Sequence, residues 1–487
     1  RRRWEAGFAE AAAALELPPA AAAALYRTDA EGPFRALSAA SPLNRGTLVA
    51  TLEAAQARRR ALDAVEEAWR AFTHRLWHAR VAPRSAAALT DDRCRLHKTG
   101  EDHMEHYLRH DVAKAAIASV RAAHLAAHAD EPGGSSSAAA TDPAPLRVLE
   151  QIDDSYLREV DTLMYAVHIE EYLEPLQQKI RKLGSEPQQL MKNSKDTTGN
   201  RDSWTAARVA AAGCLQLCDE VMEGRADTAF AGVRPPGHHA GREETDGFCL
   251  LNNVVFCSKY IRTVRPHWRV ATVDFDVHHG DGTQDIVAYL KDDQHLFATL
   301  QIVTTFRHDA HARAEAFFPG TGDPRDLDGL YNVYNHPVDG PILRKDWYKF
   351  AKVTLAKLKE FKPDILLLSA GFDAHKDDPS FQDMIEDKYR GEIDAEDYYW
   401  LTALFANFAH DHCFGRVVSC LEGGYNRDVL GPSIAAHVEA LSRRGTLRRH
   451  RFQKLHQERY VQFDDDKAIQ DEINKRSNTG GSNFEFV

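Results

Sequence analysis

Arg269-Val270-Ala271-Thr272-Val273 is an apolar, β-branched run that ends abruptly in Asp274-Phe275-Asp276-Val277-His278-His279-Gly280-Asp281-Gly282-Thr283-Gln284. Such a run reads as a strand buried on both faces. Side chains two apart on an extended chain point the same way, so Asp274, Asp276 and His278 share a face as the strand ends. Carboxylates beside an imidazole suit a divalent metal bound through oxygen and nitrogen. A charged strand-to-loop turn explains a lone Asp-x-His equally well. Three further motifs of matching character tip the balance toward chemistry.

Those motifs follow other apolar runs. Strands are expected at Thr228–Val233, Arg269–Val273, His295–Leu300, Asp364–Ser369 and Arg416–Leu421, with helices between them, such as Trp204–Val221, Trp347–Phe361 and Asp394–Ala409. Alternation of this kind gives an α/β fold: a single open, mostly parallel β-sheet flanked by helices. Ligands of open parallel sheets bind beyond the carboxyl ends of the strands. Arg234-Pro235-Pro236-Gly237-His238-His239 follows the first strand, Ala370-Gly371-Phe372-Asp373 the fourth, and Glu422-Gly423-Gly424-Tyr425-Asn426 the fifth. Only a sheet that gathers its strand ends at one edge brings residues so far apart in sequence together.

The rest of the chain divides around this region. Residues 1–88, rich in Ala, Arg and Leu, read as an α-helical N-terminal extension broken at Pro18-Pro19 and Ser41-Pro42. Leu62, Val65, Trp69, Phe72 and Leu76 form a narrow apolar stripe there. It suits a partner protein or, by our preference, the chain's own main domain. Residues 89–442 form the catalytic domain. Within it Val167–Leu173 reads as a helix, Gly184–Asp202 as a long loop, and Glu131–Ser137 as a flexible Gly/Ser insert. Residues 443–487 are a basic and polar tail, whose Arg443-Arg444 and Arg448-Arg449-His450-Arg451 read as a solvated surface rather than a targeting patch. The sequence opens on Arg1 rather than Met, which suggests that a native N-terminus precedes it.

A net charge of -11 over 487 residues argues against a dedicated nucleic-acid binder and is compatible with a basic substrate. No apolar run reaches membrane-spanning length, and no secretory signal is visible. Seven cysteines without a C-x-x-C pair point to reduced thiols in the cytosol or nucleus. Cys214 and Cys218, four apart on a helical pattern, suit half of a metal site, but buried neighbours on one helix face are the preferred reading.

The residue types specify hydrolysis. Asp276, His278 and Asp373 supply three ligands and leave the open positions that a catalytic metal needs. His238 and His239 are proton carriers, and Asp274 and Asp281 are the acids available to fix their tautomers. Tyr425, in a glycine-rich turn, offers a phenol to a developing oxyanion. Gly247-Phe248 and Phe317-Phe318-Pro319-Gly320-Thr321-Gly322 offer aromatic walls or, equally, ordinary core.

RPPGHHA, GFCLLNN, DFDVHHGDGTQ, FFPGTGD, SAGFDA and LEGGYN occur in this order between Leu89 and Ser442, and the sequence resembles the zinc-dependent histone deacetylases of the arginase/deacetylase superfamily. The form of the motifs is closer to class II than to class I, and the extensions and inserts point to a divergent member, from a protist. The resemblance implies Zn2+ on Asp276, His278 and Asp373, a catalytic pair in His238 and His239 with His239 as general base, and a catalytic Tyr425. It implies tunnel walls at Gly247, Phe248 and Phe318. His103, Glu105 and Arg109 match the family's H-P-E-x-x-x-R signature with Met104 in place of proline, which puts Arg109 below the metal. It also implies a structural K+ lined by Asp274, Asp276, His278, Thr299 and Leu300. Thr299-Leu300-Gln301 departs from the family's Ser-Leu-His. The acidic rim residue has two candidates, Asp196 and Asp202.

The reading is thus a deacetylase of N6-acetyl-lysine proteins such as histone tails, nuclear and also cytoplasmic. The alternatives are an acetylpolyamine amidohydrolase and a scaffold that recruits partners through the N-terminal helices. Retention of every expected ligand and of Tyr425 speaks against the scaffold. The Gln301–Phe317 segment is longer than the family's, and we expect it to be a mobile rim. Shortening it should change affinity for bulky-capped inhibitors several-fold, while hydrolysis of a small acetyl-lysine substrate stays within a few-fold; loss of both would make it structural.

Overall fold

Apolar runs of five or six residues form the middle of a nine-stranded sheet. The structure, a computed structural model, describes residues 85–129, 146–191, 194, 196–305, 315–322, 332–381, 391–443 and 445–478. The chain divides into two units, Arg1–Ala82 and Pro83–Val487. The expected N-terminal helices and the Gly/Ser insert lie outside the described residues.

In chain order the strands are β1 (Ser85–Leu89), β2 (Arg147–Leu149), β3 (Gln188–Gln189), β4 (Thr198–Gly199), β5 (Ala226–Ala231), β6 (Val270–Asp274), β7 (His295–Thr305), β8 (Glu315–Ala316), β9 (Val333–Asp339), β10 (Ile365–Ala370) and β11 (Val417–Leu421). The helices are α1 (Leu108–Ala129), α2 (Ser155–Val167), α3 (Glu170–Arg181), α4 (Ser203–Met222), α5 (Asn253–Val264), α6 (Asp281–Leu290), α7 (Arg344–Phe361), α8 (Ala395–His412), α9 (Arg427–Ser442), α10 (Gly445–Arg459) and α11 (Lys467–Asn478). The sheet runs β2-β1-β5-β11-β10-β6-β7-β8, with β9 also on β7, and every pairing but β7–β8 is parallel. The expected α/β sheet is therefore the one observed.

Both faces are covered, which explains why its strands lack a polar face. Val273, Leu366, Leu368, Val417 and Leu421 enter one core; Val270, Ile365, Leu367, Val418 and Cys420 enter the other. Register brings the strand ends level: Asp274 pairs with Ser369 on one side and Thr299 on the other, and Ala370 pairs with Leu421. The neighbours β5, β11, β10 and β6 are the four strands after which the polar motifs come.

Several expectations need correction. The domain does not begin at 89, because Ser85–Leu89 is an interior strand between β2 and β5. Its three alanines favour helix intrinsically, and tertiary pairing overrides that preference. The β9 strand escapes sequence reading because it carries Asn335, His336 and Pro337; among the described residues it pairs with β7 alone, where a strand proline is tolerated. The expected helix at Val167–Leu173 is broken, since His168 and Ile169 are extended between α2 and α3. Gly184–Asp202 holds the small β3–β4 ribbon rather than only loop.

The tail is not a solvated segment. Tyr460 stacks on Trp400 at 3.8 Å between ring centroids and donates to Asp397 at 2.7 Å. Leu455, Ile469 and Ile473 are buried in the core. Among the described residues its arginines are matched: Arg443 and Arg451 meet Glu439, Arg451 also meets Glu396, Arg449 meets Asp411, and buried Arg448 donates to Asn407 and Ala406 O. The folded unit thus extends past Ser442. Tyr460→Ala should lower unfolding free energy by about 3–5 kcal/mol, the usual cost of deleting a buried aromatic ring, measured by urea denaturation.

Candidate metal centre and active site

The end of β6 builds the centre from its own backbone. Asp274 Oδ1 accepts from Asp276 N at 3.0 Å, and Asp276 Oδ1 accepts from His278 N at 2.9 Å, so each side chain fixes the residue two ahead. Asp373, just after β10, reaches across to accept from Val277 N at 3.0 Å. His278 Nδ1 then lies 3.1 Å from Asp276 Oδ1 and 3.0 Å from Asp373 Oδ2. One ligand atom from each of Asp276, His278 and Asp373 lies within 4.8 Å of the others. Glycines make room: a Cβ on Gly371 or Gly423 would collide with these carboxylates.

Electrostatics agree with a cation site. Burial pushes Asp373 up to about 8, and the neighbouring Asp276 charge adds to this. Burial also disfavours a charged His278, yet the two carboxylates push it up to about 10. Two buried acids closing on one imidazole need a positive charge between them, and a divalent metal supplies it better than one proton. The donor set fits zinc.

Beside these donors stand the two histidines, their rings 4.0 Å apart. His238 Nδ1 meets Asp274 Oδ2 at 3.1 Å, and His239 Nδ1 meets Asp281 Oδ1 at 2.7 Å. With both Nδ1 atoms engaged by carboxylates, each Nε2 is the ring nitrogen left for other partners. Burial holds His239 below the usual imidazole range, with His238 adding and Asp281 opposing. Gly247, at φ +50, is required here because a Cβ would enter the His239 ring.

Tyr425 lies on the other side. Its ring meets Phe248 edge-on at 5.6 Å and the Arg109 guanidinium at 5.1 Å. Burial, then the Asp373 and Asp276 charges, push its hydroxyl well above the ordinary phenol range, so it remains a donor. Phe318 stands edge-on to His239 at 5.1 Å, and Phe317 stacks on His278 at 5.0 Å. Thr299 pairs with Asp274 and buried Leu300 follows. Asp196 is exposed beside Phe248: its carbonyl accepts from His103 Nε2 at 2.8 Å, and His103 lies 4.8 Å from the Phe248 ring. Asp202 stands at the N-terminal boundary of α4 and makes no side-chain capping bond there. Gln301–Thr305 belongs to β7 and Glu315–Ala316 to β8, so the expected rim segment narrows to residues outside the described set.

Sequence reasoning assigned no role to Arg234, Glu422, Asp378 or His168. Glu105 Oε1 accepts from Arg109 NH1 at 2.9 Å and from Arg234 Nε at 2.8 Å, all three fully buried. Arg109 also donates to Glu422 O and Gly424 O at 2.5 and 2.6 Å, which pins the turn that presents Tyr425. Glu422 Oε2 accepts from Gly237 N and His238 N at 2.7 and 3.1 Å, and burial pushes it up to about 8. Asp378 Oδ2 accepts from Tyr425 N and Asn426 N at 2.7 and 3.0 Å. His168 Nδ1 donates to Gly241 O, and Nε2 accepts from Asn252 N. The available signal was position: Arg234 and Glu422 are charged residues at the ends of buried strands.

Residues 146–441 match the histone deacetylase domain. The chain belongs to the histone deacetylase family. Over 266 residues it is 34% identical to type-2 histone deacetylase 2 of Dictyostelium discoideum, covering 51% of this chain and 14% of that protein. Histone deacetylase 18 of Arabidopsis thaliana is 36% identical over 259 residues, 50% of this chain and 34% of the relative. Histone deacetylase HDA1 of Saccharomyces cerevisiae is 30% identical over 277 residues, 56% and 37% respectively. The chain spans well under half the length of these curated relatives. The crystal structure of the HDA15 HD domain superposes with TM-score 0.56 at 26% identity, covering 81% of this chain and 99% of that one. A type-2 histone deacetylase among the relatives agrees with the class II form of the motifs.

For this histone deacetylase domain, Glu105 gives a pH-dependent test. Burial opposes its charge, but Arg234 and Arg109 hold it down to about 2. A depressed carboxylate contributes stability above its unfolded value near 4.5, lost as pH falls toward about 2. Glu105→Gln should cost about 3–5 kcal/mol at neutral pH by unpairing two buried guanidinium groups. In denaturant melts run from pH 5 down to 3, its deficit against the parent should shrink.

Proposed function

We propose that this chain is a zinc-dependent hydrolase that removes acetyl groups from N6-acetyl-lysine side chains of proteins, histone tails foremost. The observation that carries this is the Asp276–His278–Asp373 cluster flanked by two carboxylate-braced histidines and a neutral phenol. Asp276, His278 and Asp373 would hold the zinc, which when bound polarises an amide carbonyl and acidifies a water. Phe248 and Phe318 flank the aliphatic part of the side chain, with Gly247 leaving space beside His239. His239, oriented by Asp281, accepts the proton of the attacking water at Nε2. Tyr425 donates its hydroxyl hydrogen to the developing oxyanion. A protonated histidine of the pair returns a proton to the leaving lysine amine. Asp196 takes the substrate backbone at the rim. A potassium ion at Asp274, Asp276, His278, Thr299 and Leu300 completes the expected ion set. The cell compartment is the nucleus, and also the cytoplasm.

A panel of acetylated histone and tubulin-derived peptides, longer acyl-lysine peptides and acetylpolyamines tests the substrate. Acetyl-lysine peptides should be turned over fastest; preference for acetylpolyamines would overturn the protein-substrate reading. Asp276→Ala should lose one equivalent of zinc and the activity together, by metal analysis and peptide assay. Tyr425→Phe keeps the ring and should keep zinc and KM, while kcat falls about 100- to 1,000-fold as an oxyanion donor is lost. Turnover within a few-fold of the parent would remove Tyr425 from the reaction.

A further inference from the structure

A second group of metal-binding side chains lies outside this site. Cys214 on α4, Cys257 on α5 and Cys420 on β11 bring their sulfurs within 4.8 Å of one another, all fully buried. Cys218, one turn on from Cys214, is also fully buried. Three of the chain's seven cysteines thus converge from three elements, with Cys218 one turn away on α4.

We propose that Cys214, Cys218, Cys257 and Cys420 form a structural thiolate site for Zn2+, separate from the catalytic centre. A structural zinc takes four ligands, and sulfurs around it stand roughly 3.8 Å apart when each Zn–S bond is about 2.3 Å. Three of the sulfurs lie within 4.8 Å of one another, and Cys218, one helical turn from Cys214, would have to turn in as the fourth. The all-sulfur donor set selects a soft, thiophilic cation over Mg2+ or Ca2+. These three thiols, from two helices and a strand, meet at one point of the apolar core. Binding would release the remaining thiol protons to solvent, so affinity rises with pH. The site would tie β11, two residues before Glu422 and five before Tyr425, to the two helices packed behind it.

Metal counting on the full chain, expressed with zinc, tests this independently of the catalytic reading. The parent should carry two equivalents, Asp276→Ala one, and Cys257→Ala one. On Co2+ loading, Asp276→Ala should retain a thiolate-to-cobalt charge-transfer band that Cys257→Ala lacks. If Cys257→Ala does not fold, the parent and Asp276→Ala decide. A metal-free Asp276→Ala without the band, or a disulfide among these cysteines by non-reducing mass spectrometry, would each overturn the proposal; one equivalent in the parent that persists with the band in Asp276→Ala would overturn the catalytic metal instead.

Discussion

Five buried carboxylates crowd the carboxyl edge of the sheet, and much of the site is the means by which they are satisfied. Asp274, Asp276, Asp373, Asp378 and Glu422 have almost no solvent contact. An unpaired buried carboxylate is costly, so each recruits backbone amides. Asp276 takes the amides of His278 and Gly423, Asp373 that of Val277, Glu422 those of Gly237 and His238, and Asp378 those of Tyr425 and Asn426. All of these but the Asp276–His278 bond run between loops that follow different strands. The loops are therefore positioned by their acids, and the histidines and the tyrosine ride on them.

Below this edge the charges are opposite. Arg109 and Arg234 share Glu105, and their remaining donors go to the carbonyls of Cys94, His97, Glu422 and Gly424. A buried pair with one excess guanidinium is a poor source of stability by itself. Here it fixes geometry, since Arg109 holds the Glu422–Gly424 turn from beneath while Asp378 holds its far end. Tyr425 is caught between them.

The site was more legible in the sequence than the fold around it. Asp276, His278 and Asp373 could be picked out because metal-ligating side chains at strand ends break sharply with the apolar runs before them, and the register of β6 on β10 brings them together. Asp274 and Asp281 could be paired with the histidines because they lie in the same strand-end motif as the expected metal ligands. The positioning residues were hidden: the bonds of Arg234, Asp378 and Glu422 span dozens to hundreds of residues, and no local pattern reports such a bond. Ser85–Leu89 and the last two helices were misread for a related reason. Alanine-rich and basic stretches carry little periodic signal, and their structure comes from what they pack against.

Gln301 shows how a departure from the family pattern is absorbed. It is fully buried in β7, where the resemblance leads one to expect histidine, and its Nε2 donates to Gly322 O at 2.8 Å. Gly322 ends the Phe317–Gly322 loop that carries both phenylalanines of the candidate channel. A Cβ on Gly322, at φ +89, would strike Gln301 and the His279 ring, so the close approach is itself selected by glycine. A histidine carries a titratable ring, about 6.5 when unperturbed. The amide makes the same kind of donor bond without a charge to gain or lose. The loop beside His278 is thus pinned by a bond whose strength does not follow pH, which leaves the titration of the site to the histidines and acids that face it.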